Sequence, residues 1–352
     1  MRLRISVPAQ LGLFALLLLS IFAWAPALVP GYWEALEGFV PVFNVSQPAP
    51  FAAVATAPDI WRSAGGATFL LPRAFVLIGF EPSAAVRGAY IVAFLLGSCG
   101  IYAWLRPRLG DLAAGMAGLI YILLPIFLAT VYVRGSLADA LVLGFLPLTF
   151  AGLAAYERQR SLVGAAVAVL TIVWIWRTQA GLAVFATLLL LIYALAVERN
   201  WVTLLIAGVA AAAGIVSLIS DFNIVAPAPT NFYDQFVYLH QLFAVDWFTA
   251  PSDAGWQDTY PFQLGFAAFA FSVIALWIWW RRRPRPLPEV ERLLAFAWIG
   301  AIILVLLTFG FSEPLWRVTG AGRLLTYPWQ LMILAAPLIA VTAGALPALA
   351  RA

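Results

Sequence analysis

Apolar runs long enough to cross a lipid bilayer recur from one end of this chain to the other, and no polar block between them is long enough to fold separately. A hydrocarbon core about 30 Å thick needs about 20 apolar residues per helix. On that ruler spans are expected near 9–29, 84–104, 112–131, 136–156, 162–177, 180–197, 202–220, 261–280, 292–311 and 325–347. Composition agrees: 64% of the 352 residues are hydrophobic and 10% charged, against about 45–50% and about 25% in a typical soluble domain. The expected fold class is all-α, a polytopic integral membrane protein of about ten transmembrane helices, forming one transmembrane domain over 1–352.

Two segments test that count. Arg2 and Arg4 precede the run Leu11–Val29, and Ala23, Trp24 and Ala25 imitate the small-residue cleavage site of a secretory signal. Pro26 obstructs cleavage there and further spans follow, so a retained first helix is expected. The stretch 67–81 holds Pro72 and Arg73 in only about 15 residues and is assigned to a surface or re-entrant helix. Charge decides the parity. With the N-terminus cytoplasmic and ten spans, thirteen of the twenty arginines fall on the cytoplasmic side, including Arg106, Arg108, Arg158, Arg160, Arg199 and the run Arg281, Arg282, Arg283. The opposite side receives seven arginines and eleven acids, the asymmetry that the positive-inside rule requires. Counting 67–81 as a span would put the basic run outside.

The cytoplasmic turns are short and basic. Two long segments lie on the other side: a first extracytoplasmic loop, 30–83, with surface helices, and a second long loop, 221–260, the fourth on that side. Both are rich in aromatic residues, proline and acids. Such rings commonly form an interfacial belt, but a long loop in an otherwise minimal membrane protein is also where a site is expected. The single cysteine, Cys99, lies in an apolar run and is assigned to helix packing. No metal-ligand cluster and no Gly-rich phosphate loop occur, so neither a metal nor a cofactor is expected.

Charged residues near membrane depth are the candidate chemistry. In VYVRGSLADALVLGFLPL, Ser136 and Asp139 have the spacing of a capping box for the helix that follows. Arg134 has no such structural role, and burying an arginine near the bilayer centre costs about 2.5–3.5 kcal/mol on insertion scales. Arg177, in WIWRTQAG, and Arg323, in GAGRLLTYPWQ, fall at the same membrane level. Each could snorkel or pair with Asp139 or Glu313; together they would make a socket for a phosphate head group.

These stretches resemble a family of bacterial membrane proteins described as 6-pyruvoyl-tetrahydropterin synthase related, within the wider GT-C glycosyltransferase superfamily. The resemblance rests on RGSLADALVLGFLPL, on YLHQLFAVDWFTAPSDAGWQDTYPFQLG, and on SEPLW followed by RLLTYPWQLMILAAP, in that order over nearly the whole chain. It implies a GT-C-like fold with a site at the extracytoplasmic face, a lipid-linked sugar donor on a polyprenyl phosphate, and an acid of the first loop as catalytic base. The first-loop acids here are Glu34, Glu37 and Asp59 as candidate bases, with Glu34 taken first; Glu37, three residues on, would share a face with it on a helical turn. Arg134, Arg177 and Arg323, with Asp139, are candidate phosphate or substrate ligands, and the sole histidine, His240, a substrate contact. Departures are equally definite. Relatives carry a His-Asp pair where Gly31, Tyr32, Trp33 and Glu34 stand, a His-Asn turn where Arg177, Thr178 and Gln179 stand, and Arg where Gln330 follows Trp329.

The implied function is thus a membrane glycosyltransferase of the bacterial cytoplasmic membrane and cell envelope, or a catalytically degenerate descendant. The alternative is a non-catalytic structural subunit with membrane-complex partners, whose loops would be interface. A transporter would show repeated halves and helices broken at the midplane, and no internal repeat is evident. The basic run RRRPRPLPEVER is short and explained by topology, so no nucleic-acid partner is expected.

Overall fold

The computed structural model describes residues 10–31, 33, 35–46, 66–217, 232–244, 252–282 and 288–351. Helices occupy all ten predicted places: α1 (Leu11–Leu28), α4 (Pro82–Leu109), α5 and α6 (Asp111–Leu123 and Pro125–Arg134), α7 (Leu137–Gln159), α8 (Leu162–Thr178), α9 (Ala180–Glu198), α10 (Trp201–Val216), α11 (Phe266–Arg282), α12 (Pro288–Leu306) and α14 (Pro328–Ala350). Among the described residues three shorter α-helices lie between them: α2 (Val40–Ser46), α3 (Leu70–Leu77) and α13 (Glu313–Thr319). Among the described residues β pairing is confined to one isolated bridge, Val237 with Phe309.

Five of these helices, α1, α4, α7, α9 and α14, are long and apolar enough to cross a membrane, and α5 with α6 makes a sixth broken by a 42° bend. Pro125 causes the break, because it has no N–H to give the preceding turn. Helix α12 is 19 residues long but carries Glu289, Glu291 and Arg292 in its first turns. Helices α8, α10 and α11 are shorter, at 17, 16 and 17 residues. The apolar stretch Gly66–Leu77 reaches only about 18 Å at 1.5 Å per residue, too short to span.

Helix ends follow local chemistry. Ser161 accepts from the Gly164 N–H at 3.2 Å to begin α8, and Asn200 accepts from Val202 at 2.9 Å to begin α10. Arg160 and Arg199 end α7 and α9 in left-handed backbone, at φ 50° and 55°.

Helix α7 is the centre, packed on α4 along one side and α8 along the other; α14 is equally enclosed, against α5, α11 and α12. Apolar contact alone gives little drive inside lipid, so close approach of small residues and interhelical hydrogen bonds carry the packing. A Cβ on Gly12 would stand 2.2 Å from the Asp111 carbonyl oxygen, and one on Gly152 2.6 Å from that of Gly164. Thr149 bonds Thr171 at 2.9 Å between α7 and α8, and Ser272 bonds Thr342 at 2.8 Å between α11 and α14.

The bundle has two chemically distinct ends. At one, Arg108 forks onto Glu198 at 2.6 and 2.7 Å and reaches the Tyr193 hydroxyl at 3.0 Å, which also receives the Trp104 indole N–H at 3.0 Å. This ion pair is almost wholly buried. Arg158 joins Glu289 at 3.0 Å nearby, and Arg292 donates to the Val197 carbonyl at 3.0 Å. Residues assigned by charge parity to a single side therefore meet in space. The other end carries Arg134.

Candidate functional site

The site grows from the turn between α6 and α7. Residues Thr130–Arg134 widen into a π-helical turn that Gly135 closes at φ 69°, and Ser136 enters α7 in extended backbone. Arg134 and Asp139 thus face each other across the turn, and the guanidinium Nη1 pairs with Asp139 Oδ2. The Asp139 side chain is fully buried. Gln179, from the break between α8 and α9, donates to its Oδ1 at 2.9 Å, and Gln330 donates to its Oδ2 at 3.4 Å. Gln330 is itself oriented: its Oε1 accepts from the Thr326 and Tyr327 N–H groups at 3.0 and 3.2 Å. The expected capping box is overturned. Ser136 makes no side-chain cap, and Asp139 is drawn inward by three long-reaching donors instead of serving its own helix.

The first loop supplies a second carboxylate. Trp33 Nε1 donates to the Val131 carbonyl at 3.2 Å, Leu36 N–H to Val133 at 3.0 Å and Glu37 N–H to Arg134 at 2.8 Å, while the Tyr90 hydroxyl donates to Gly135 at 2.5 Å. Those are the carbonyls at the end of a helix, which need outside donors. The contact needs glycine at 135, where a Cβ would lie 2.6 Å from that of Ala35. This docking sets Glu37 Oε1 3.3 Å from Arg134 Nε, with a third of its side chain exposed. Burial pushes the Glu37 carboxyl up; Arg134 opposes that, Asp139 reinforces it, and a hydrogen bond from Ser136 opposes it further.

Aromatic rings close the other side. The Arg134 guanidinium sits 5.1 Å from the Trp329 ring and 5.7 Å from that of Tyr327. Trp329 stacks with Tyr327 at 5.1 Å and with Tyr260 at 5.0 Å. Tyr260 is delivered by the second long loop, where Asp258 Oδ1 accepts from the Tyr260 N–H and Oδ2 from the Ser252 hydroxyl, both at 2.9 Å. Burial raises the Asp258 carboxyl and the Tyr260 hydroxyl. The loop is tied down by Val237 N–H on the Thr308 carbonyl at 2.9 Å and Leu264 N–H on Leu242 at 3.2 Å.

Of the residues predicted from sequence, Glu37, Arg134 and Asp139 come together. Arg177 and Arg323 do not join them. Arg177 is buried and donates to the Ser217 carbonyl at 2.9 Å, at the end of α10, and Arg323 is exposed in the turn before α14. Arg134 pairs with Asp139, Arg177 bonds the end of α10 and Arg323 stands exposed, so the three arginines have different surroundings. His240 is exposed, its Nε2 3.0 Å from the Trp256 carbonyl oxygen. Glu34 and Asp59 lie outside the described residues. The proposed helical face shared by Glu34 and Glu37 is not formed at Glu37, which sits in a turn ahead of α2 with Gly38 at φ 55°.

Gln179, Gln330, Tyr260, Tyr327 and Trp329 were missed as site residues. Their signal was present in part: Gln179 and Gln330 are two of the places where the chain departs from the pattern it resembles. Both departures end on one carboxylate. Among the described residues no group of three His, Cys, Asp or Glu side chains is placed to hold a metal ion. Three apolar grooves elsewhere, the one between α11, α12 and the second loop being about 250 Å³, are lined by neither Arg134 nor Arg323.

Comparison with curated proteins and with solved structures gave no match. Residues 73–350 match a protein family described as "6-pyruvoyl-tetrahydropterin synthase related domain; membrane protein". That stretch holds α4 to α14, with Arg134, Asp139, Gln179, Tyr260 and Gln330, and begins after Glu37. By that match over most of its length, the chain belongs to the 6-pyruvoyl-tetrahydropterin synthase related family of membrane proteins.

Proposed function

We propose that the protein is a GT-C-like membrane glycosyltransferase with ten spans. It would take a sugar from a polyprenyl-phosphate carrier at the extracytoplasmic face of a bacterial cytoplasmic membrane, with both termini inside. The observation that carries this reading is Glu37: a first-loop carboxyl, partly exposed, raised by burial and fixed 3.3 Å from Arg134. General-base catalysis asks for a carboxylate whose proton affinity lies nearer the working pH than that of a free acid. Arg134 has its charge matched by Asp139, so it orients Glu37 in place of binding the carrier. Arg323, exposed in the turn before α14, is the candidate cation for a carrier phosphate.

A second reading, a non-catalytic subunit of a membrane complex, is favoured by two facts: Arg134 is already paired with Asp139, and Arg177 donates to the Ser217 carbonyl. The test separates the two. Glu37→Gln, with protein level unchanged, should abolish glycan product, as Glu34→Gln and Asp59→Asn should not. In the wild type, transfer should rise with pH through a value above the ordinary 4.5 of a glutamate, because the base acts only when ionised. Normal product from Glu37→Gln would remove the proposed base, and normal product from all three variants would promote the subunit reading.

A further inference from the structure

Two buried groups beside Arg134 retain hydrogen-bonding capacity that the protein does not use. Tyr260 is 3% exposed and Trp329 1%, yet among the described residues neither the Tyr260 Oη nor the Trp329 Nε1 has a hydrogen-bond partner. Buried polar groups in native proteins are nearly always bonded, so each exception calls for a reason. Loose packing is not the reason here. The rings stack at 5.0 Å, and the neighbouring Asp139 carboxylate is fully engaged, receiving Arg134, Gln179 and Gln330. Tyr260 stacks on Trp329, whose ring lies 5.1 Å from the Arg134 guanidinium, so the two groups stand beside that cluster.

Charge selects what could meet these donors. Arg134 carries one positive charge, and Asp139 and Glu37 one negative charge each, so the cluster sums to −1 with Glu37 ionised and to zero with Glu37 protonated. A phosphate would enter with no uncompensated cation, and burying an unpaired anion is costly. A sugar ring meets the opposite situation. Its oxygens accept from the Tyr260 O–H and the Trp329 N–H, while one of its hydroxyls donates to Glu37. We infer that Tyr260, Trp329 and Glu37 form the wall of a binding site for a neutral, hydroxyl-rich ligand, a sugar, and that the phosphate of a carrier does not enter it. This deepens the glycosyltransferase reading and rests on it.

The experiment uses the full chain in lipid nanodiscs, free of sugar-headed detergent, with methyl glycosides of a hexose, a pentose and an N-acetylhexosamine as probes and inorganic phosphate as competitor. At least one glycoside should bind and raise Tm, and phosphate should not displace it. Tyr260→Phe should weaken that binding about tenfold, the effect of losing one good hydrogen bond. Without ligand its Tm should be unchanged or higher, because the deleted hydroxyl has no partner in the protein. Absence of glycoside binding, displacement by phosphate, wild-type affinity in Tyr260→Phe, or a lowered Tm of the ligand-free variant would each overturn the inference. Failure here alongside loss of product in Glu37→Gln sinks only the assignment of this wall, whereas normal product in Glu37→Gln sinks the reading beneath it.

Discussion

Asp139 belongs to the helix that Ser136 begins, yet it serves residues 40 and 191 positions away. A fully buried carboxylate must find compensation in its surroundings, and here it draws one guanidinium and two amides from three different breaks in the helical bundle. Removing one partner of a buried pair costs about 3–5 kcal/mol, because the other charge is left uncompensated. Asp139→Ala and Arg134→Ala are therefore each expected to lose that much in thermal or denaturant unfolding. The double variant should lose clearly less than the sum; simple additivity would show that the pair is not coupled. From sequence, Arg134 could be singled out because an arginine at membrane depth needs a reason. Asp139 was among its expected partners and does pair with it; what was misread is the local cap with Ser136, because the glutamines that also reach Asp139 lie far along the chain. Glu37 was legible as a first-loop acid, but its place depends on backbone bonds to 133 and 134 that leave no periodic trace.

At the level of elements, glycines mark where helices touch. Gly152 of α7 and Gly164 of α8 each face the other's carbonyl oxygen, which an added Cβ would approach to 2.6 and 2.7 Å. Gly208 of α10 meets no heavy atom within 4 Å of an added Cβ. Gly152→Ala is expected to cost about 1–3 kcal/mol through overpacking, whereas Gly208→Ala should be neutral or stabilising by up to about 1 kcal/mol through helix propensity. Unfolding of the two variants side by side in bicelles checks this, and equal effects would contradict the assigned crossing. The glycines are visible in sequence as small residues inside apolar runs. Which pairs with which is not, since several helices carry them and only the folded arrangement selects the partner.

For the whole molecule, the places and order of the long apolar helices were legible because membrane thickness imposes a length on every span. Their actual lengths were less so: α8, α10 and α11 fall short, and α5 and α6 break at Pro125, since neighbouring helices can shield backbone that lipid could not. The predicted sidedness is directly testable. Cys99 is the sole cysteine, so a Cys99→Ala background accepts single cysteines at exposed Arg160 and exposed His240. An impermeant maleimide applied to intact cells should label the cysteine at 240 and spare that at 160. The reverse pattern would invert the proposed orientation and place the Glu37 cluster in the cytoplasm.

Helix α1 lies at the edge of the bundle, with Phe14 and Phe22 exposed, and docks by crossing α5 where Gly12 N–H meets the Asp111 carboxylate. That partner is synthesised 99 residues later. At about 5–20 residues per second, the first helix waits roughly 5–20 s in the lipid beside the ribosome before the surface it fits exists. The crossing of α1 with α5 is therefore a delayed step, and until Asp111 emerges the protein contact open to α1 is α4, whose Arg87 donates to the Ala27 and Val29 carbonyls.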